Sequence, residues 1–299
     1  MATSQWTAAA RAADGHLLPA LRLHAISERL WVMLWLGVGL ILRLLSFGRF
    51  PLREDEALYA YWARLISSGL DPMLERAAVD KPPLYIYLLA HTFTWLGPDE
   101  AVGRGLNVAC SVLALALLWL LARRLYGPDT ARWALALYAL SPFGISFAAT
   151  LYTDPMMVMW LLLALLAAAH GRGLFAGLGL GLAFAVKQNA LLFTPLILAL
   201  LLLAPPSRRP RLASLPPRLT AALVRLLAAA AGFYYVWFKV WQWDGWRILP
   251  AEIPSFWQQA WNSYGGLELL PLAEWPAALS AWAGVWRWFG GSAAGTLAL

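Results

Sequence analysis

Asp55 and Glu56 stand in the stretch Arg53-Glu54-Asp55-Glu56-Ala57-Leu58-Tyr59-Ala60, and Asp80 and Lys81 follow in the box Asp80-Lys81-Pro82-Pro83. These acids and cations occupy a short polar excursion in a chain that is 61% hydrophobic and only 13% charged. Three more ionisable residues interrupt apolar sequence: Arg104 after Gly103, Asp154 between Thr153 and Pro155, and Lys187 in Lys187-Gln188-Asn189. A carboxylate among these is suited to take or orient a hydroxyl proton, and preorganised cations are suited to stabilise charge growing on a phosphate leaving group. Asp80 and Asp154 could also share a hard cation or zinc through their oxygens, although two carboxylates alone are a weak metal signal.

Each of these residues also has a purely structural use. Asp154 before a proline, and Asp80 two residues ahead of one, have the character of helix starts. Arg104 and Lys187 could snorkel to headgroups, and Arg43 at the outer end of the first span is expected to do so. Glu54 and Glu75 are expected to be solvated, and His91 to be packed rather than a ligand. Glu56 and Tyr59 are assigned supporting roles beside Asp55.

The elements that must position these groups are membrane helices. Mean hydropathy is +0.61, and several Leu- and Ala-rich stretches are long enough for a hydrocarbon layer of about 30 Å. That excludes a soluble single-core domain. The net charge of +7 does not argue for nucleic acid, because the arginines cluster beside apolar spans, where the orientation rule for membrane proteins accounts for them. The single cysteine, Cys110, lies in an apolar run.

The order expected is a cytoplasmic leader, 1–28, then a transmembrane module, 29–241, with an outer loop over 49–100. A Trp-rich outer loop, 242–276, and a last span, 277–299, complete it. Eight spans are expected near 28–48, 101–122, 131–150, 155–169, 173–186, 190–204, 219–241 and 277–299. Residues 83–96 make a helix of about 21 Å, too short to cross, and are expected to lie in the interface. With that choice Arg123-Arg124, His170-Gly171-Arg172 and Arg208-Arg209-Pro210-Arg211 fall on the same side as the N-terminus. Asp55, Asp80, Lys81, Arg104, Asp154 and Lys187 then fall near the outer leaflet. Spans 173–186 and 190–204 should form a hairpin with Lys187 at its polar tip. Gly173, Gly177, Gly179 and Gly181 read as close helix packing rather than a nucleotide fingerprint, since no strand precedes them. The tryptophans from Trp237 to Trp261 suit an interfacial belt, with a sugar-stacking platform as the alternative. The first apolar run lacks a small-residue cleavage site and is expected to stay as an anchor. The apolar end reads as a shortened version of something longer.

The order and spacing of Asp55-Glu56, Lys81-Pro82-Pro83, Gly103-Arg104, Thr153-Asp154-Pro155 and Lys187 over roughly residues 29–204 resemble the polyprenyl-phosphate-sugar-dependent GT-C glycosyltransferases. That group includes protein O-mannosyltransferases and lipid A aminoarabinose transferases. The resemblance implies an all-α polytopic membrane enzyme, with an outward cavity that takes a sugar from a lipid phosphate carrier. It implies that Asp55 is catalytic, that Asp80 and Asp154 hold a divalent metal, and that Lys81 and Lys187 face the lipid phosphate. Leu58 departs from the aminoarabinose branch, which has arginine there, so that branch's donor and acceptor do not carry over. Known members are also longer. Single displacement with one base predicts inversion at the anomeric carbon. A non-catalytic lipid-phosphate-binding or translocating protein is the alternative, and an ion-coupled transporter is disfavoured by the absence of an inverted repeat.

Overall fold

The computed structural model describes residues 28–48, 51–204, 217–263 and 271–281. Nearly all of the expected leader and most of the expected last span lie outside these residues. Every regular element among the described residues is helical. Helix α1 covers 28–45, α2 Glu54–Ser67, α3 Pro83–Leu96 and α4 Glu100–Tyr126. Then come α5 Pro128–Ala139, α6 Pro142–Ala148, α7 Asp154–Ala169 and α8 Gly173–Val186. A 3-10 turn, Gln188–Phe193, leads into α9 Thr194–Leu203, followed by α10 Pro217–Trp246 and α11 Phe256–Ser263.

By length and composition two helices are able to cross a membrane, Glu100–Tyr126 and Leu219–Trp246, whereas α7, α8 and the Gln188–Leu203 segment are apolar but shorter. The described residues therefore do not confirm eight full spans. The expected span 131–150 is divided between α5 and α6. Proline disfavours helical backbone at the residue before it, so Ser141 leaves the helix (φ −59°, ψ 120°) and its hydroxyl accepts the Gly144 N–H at 3.3 Å. The Trp-rich segment expected as loop from 242 is instead helical up to Trp246. Helix α3 has the bounds expected for the short helix 83–96, with Tyr85, Ile86, Leu89, Ala90 and Phe93 buried.

The glycines of α8 let the backbones of neighbouring helices touch. A Cβ at Gly177 would meet the Ala229 carbonyl oxygen at 1.9 Å, one at Gly173 the Arg225 carbonyl oxygen at 2.1 Å, and one at Gly179 the Ala164 Cα at 3.0 Å. The rising pairs Gly173 with Arg225, Gly177 with Ala229 and Gly181 with Val236 show α8 and α10 running parallel. Arg225 also donates to the carbonyls of Leu201 and Ala204, at 3.2 and 2.7 Å. The end of α9 thus lies beside the start of α8, which is the expected hairpin with Lys187 at the turn.

Arg43 is a correction. Rather than snorkelling, it is fully buried, donating from Nε to Ser111 Oγ at 2.8 Å and from Nη1 to the carbonyls of Gly39 and Ala139, with Tyr138 alongside. A guanidinium's donors match the Ser111 hydroxyl and the carbonyls of α1 and α5, so it ties three helices together instead of reaching for the surface.

Candidate active site

The site is assembled at the end of the bundle where α4 and α7 begin and α8 ends. Lys187 has extended backbone (φ −156°, ψ 126°) because α8 stops at Val186, and this turns its side chain toward the first turn of α7. There its ammonium meets both oxygens of Asp154, at 2.8 and 3.0 Å. Asp80 pairs with Lys81 in the segment before α3. Gln188 donates its amide to the Asp80 backbone carbonyl at 3.0 Å, so the two ion pairs are linked through neighbouring backbone. Neither carboxylate makes a side-chain cap bond, since α3 starts after Pro82 and α7 after Thr153 without one. Both lysines are largely enclosed, with 9% and 21% of their side chains exposed.

The segment Thr150-Leu151-Tyr152-Thr153 carries Asp154 and is gripped from two sides. Asn107, fully buried in α4, donates to the carbonyls of Thr150 and Tyr152, each at 2.7 Å. Glu56, 2% exposed, accepts the Leu151 N–H at 3.0 Å and the Arg53 N–H at 2.9 Å. Both Glu56 oxygens thereby fasten the start of α2 to the turn before α7. Tyr59 is buried one turn further along, with its ring against Trp62 and Tyr85.

Asp55 points the other way and is exposed. With Leu52, Arg53, Glu54 and Tyr152 it lines a cleft of about 450 Å³. The Tyr152 phenol is pushed above its ordinary range by burial first, then by Glu56, Asp55 and Asp154, with Arg53 opposing. Tyr152 thus senses the carboxylates of both α2 and α7. Arg104 is buried in α4 and paired with Glu100 one turn earlier. The structure therefore brings together Asp80, Lys81, Asp154 and Lys187, and through Tyr152 adds Asp55 and Glu56.

Sequence reasoning did not find Asn107, Tyr152 or Gln188. The signal available was a lone carboxamide in the apolar run 101–122, a tyrosine one residue before Thr153-Asp154-Pro155, and a second polar residue beside Lys187. His91, expected to be packed, is exposed and bonds back to the Tyr87 carbonyl at 2.7 Å. Helix interiors let an imidazole satisfy itself this way without core contact. Glu75, expected to be solvated, accepts the Ile248 N–H at 3.2 Å. Among the tryptophans, Trp243 is buried and donates to Tyr87 Oη at 2.9 Å, while Trp241 and Trp246 are half or more exposed.

Among the described residues no three His, Cys, Asp or Glu come together as ligands. Asp154 already has both oxygens on Lys187, and Asp80 holds Lys81. The arrangement does not fit a preformed metal centre.

Fold and site define a helical membrane protein with a centre of paired ammonium and carboxylate groups at one end of its bundle. The family described as dolichyl-phosphate-mannose-protein mannosyltransferase matches residues 80–235, just over half of the chain, and the chain belongs to this family of GT-C type. The match includes Asp80, Lys81, Arg104, Asp154 and Lys187 and starts after Asp55. The chain is also 29% identical over 175 residues to lipid A galacturonosyltransferase RgtD of Rhizobium johnstonii, covering 55% of this chain and 35% of that protein. It thus spans about a third of the length of that curated relative. No solved structure matches.

Proposed function

We propose that the protein is a membrane glycosyltransferase that moves a sugar from a polyprenyl-phosphate carrier to an acceptor hydroxyl or phosphate on the outer face, with inversion. The observation that carries this reading is the linkage of Lys81 and Lys187 through Gln188, next to the Asp55–Tyr152 cleft.

In this reading the carrier phosphate lies against Lys81 and Lys187. The acceptor oxygen attacks the anomeric carbon from the opposite face and the carbon–oxygen bond to phosphate breaks. The bonding pair leaves with the phosphate, where two enclosed ammonium groups offset the new charge better than water would. Asp55 takes the acceptor's proton, its exposure giving it access to the cleft. Asp80 and Asp154 act as counter-ions that hold both ammonium groups in place before the carrier arrives. A divalent ion, expected at those two carboxylates from the resemblance, would compete with Lys187 for both oxygens of Asp154 and with Lys81 for one oxygen of Asp80. Glu56 and Tyr59 support the site by holding α2 and the 150–153 turn. Arg104 is left as a more distant cation, held by Glu100.

The test is transfer by purified full-length protein with a radiolabelled lipid-phosphate sugar. Asp55→Asn should abolish transfer while carrier binding persists, and the product should have the opposite anomeric configuration to the donor. Full transfer by that variant would sink the role of Asp55. Retained configuration would sink single displacement. The second reading, a non-catalytic lipid-phosphate binder, predicts that wild-type protein leaves the donor intact.

A further inference from the structure

The segment 71–80 leads into Lys81, and a buried ion pair outside the site holds it. Asp244, in the last turn of α10, and Arg247, just past that helix, pair at 3.1 Å with 4% and 0% of their side chains exposed. The guanidinium donates from Nε and Nη2 to the carbonyl of Leu74, and from Nη2 to that of Ala77 at 2.8 Å. An enclosed ion pair contributes little net stability, because desolvation offsets its attraction. What the planar fork supplies is geometry: two carbonyls and a carboxylate are fixed relative to one another, which a point charge such as an ammonium does not do.

The carbonyls it grips belong to a strained turn. Leu74 is fully buried yet has left-handed backbone (φ 54°), which a bulky residue adopts only where its surroundings enforce it. Asp71 enforces it from one side, its two carboxylate oxygens accepting the N–H groups of Glu75 and Arg76 at 2.8 and 2.9 Å, and Arg247 from the other. From this turn to the site burial alternates: Ala77, Val79 and Lys81 are enclosed, whereas Ala78 is exposed. The register set at the turn therefore decides which way Lys81 faces, since a slip of one residue would turn it outward.

The other member of the pair reaches toward the second lysine. Asp244 Oδ1 also accepts the Phe256 N–H at 2.9 Å, at the start of α11. The next residue, Trp257, stacks on Phe184 with ring centroids 6.2 Å apart. Phe184 lies in the last turn of α8, three residues before Lys187. One carboxylate and one guanidinium thus join the supports of both ammonium groups.

We infer that Asp244 and Arg247 are positioning residues that set the spacing of Lys81 and Lys187, Arg247 through the 74–77 turn and Asp244 through α11. This rests on the reading of the two lysines as the groups that face the carrier phosphate. A clasp that merely fastened the loop to the bundle would affect the protein in the same way whichever lysine were present. A positioning clasp loses its effect on phosphate binding once the lysine it serves is gone.

The experiment measures binding of radiolabelled farnesyl phosphate to full-length protein in lipid nanodiscs, with farnesol, which lacks the phosphate, as the baseline for partition into lipid. Lys81→Met and Lys187→Met should each weaken binding by about tenfold, the loss of one charge-assisted contact. Arg247→Lys keeps the charge but not the fork and should also weaken it by about tenfold. Added to Lys81→Met it should cause no further loss, whereas added to Lys187→Met the losses should multiply to about a hundredfold. Trp257→Leu leaves the ion pair whole and should show the converse, coupling to Lys187 and not to Lys81. Glu75→Ala removes only the bond from the Ile248 N–H to the same turn, and repeats the Lys81 cycle in a variant with the buried pair intact. Amide exchange in Arg247→Lys should quicken at Glu75 and Arg76 and stay unchanged over 154–169. Unchanged binding by Arg247→Lys and Glu75→Ala, losses that multiply when either is combined with Lys81→Met, or equal coupling to both lysines overturns the proposal and leaves the carrier reading standing. Wild-type binding by both Lys81→Met and Lys187→Met overturns the carrier reading, and the positioning role with it.

Discussion

Tyr152 borders both the cleft that Asp55 lines and the turn that delivers Asp154, which makes its phenol a reporter of the site. Ionising it would add an anion near Glu56, Asp55 and Asp154, so its midpoint lies above the ordinary phenol value, with burial the larger cause. Removing a neighbouring acid must lower that midpoint, and removing a neighbouring cation must raise it. Asp55→Asn is therefore expected to bring the Tyr152 midpoint down and Arg53→Gln to push it up, read by NMR of ring-labelled tyrosine with Tyr152→Phe assigning the signal. Since the folded value is the raised one, the associated stability is present below the unfolded tyrosine's pKa and fades as pH rises through the folded one. Asn107→Ala tests what holds this turn. It strips the side-chain partner from the carbonyls of Thr150 and Tyr152 and should cost about 1–3 kcal/mol in thermal unfolding. The Tyr152 midpoint should drift as the turn loosens. Asp80, Lys81, Asp154 and Lys187 could be picked out in the sequence because charge in apolar surroundings is expensive. Asn107 and Gln188 are neutral, carry a smaller penalty, and reveal their use only when the carbonyls they bind are seen.

At the level of elements, the glycine side of α8 sets where Lys187 emerges. Gly177 has no room for a methyl group, because the Ala229 carbonyl oxygen would sit 1.9 Å from the new carbon and backbone cannot rotate aside. Gly177→Ala should separate α8 from α10, lower stability by about 1–3 kcal/mol and weaken the Lys187–Asp154 pair. Gly105→Ala is the contrasting case. Open space surrounds it in α4, so the change should be neutral or stabilise by about 0.5–1 kcal/mol through helix propensity. Thermal melts of the two variants, with transfer assays on each, give the comparison. The close packing was legible from Gly173, Gly177, Gly179 and Gly181, because small residues at such spacing have few other uses between apolar helices. The break between α5 and α6 was not, although Pro142 was in view: apolar sequence on both sides of it satisfies the length of a span whether or not the helix is continuous. Arg43 was misjudged for a related reason. A long cation near a helix end usually finds water, and only the Ser111 hydroxyl and the carbonyls of Gly39 and Ala139 show why this one does not.

Across the whole molecule, the carboxylates divide by end more sharply than the cations. Helix α4 begins at Glu100, one turn before Arg104, and ends with Arg123 and Arg124, about 35 Å away by helical rise. Arg123 pairs with Glu28 at the start of α1, and Arg172 and Arg225 lie near the start of α8, which by the helix directions is also the end away from the site. The opposite end gathers Asp55, Asp80, Lys81, Asp154 and Lys187, with α2 and α3 packed over it. If the acid-poor end that holds Arg123, Arg124, Arg172 and Arg225 is cytoplasmic, as expected from the sequence, the site faces outward and draws its sugar from a carrier on that side. The protein's own cysteine makes this testable without first removing it, since Cys110 is the only one in the sequence and is buried. Ser68 at the end of α2 and Tyr126 at the end of α4 are both exposed and lie at opposite ends. Ser68→Cys should react with a membrane-impermeant maleimide on intact cells, and Tyr126→Cys only after permeabilisation. The reverse pattern would turn the whole assembly over, moving the lysine pairs to the cytoplasmic leaflet and requiring the carrier to be met there.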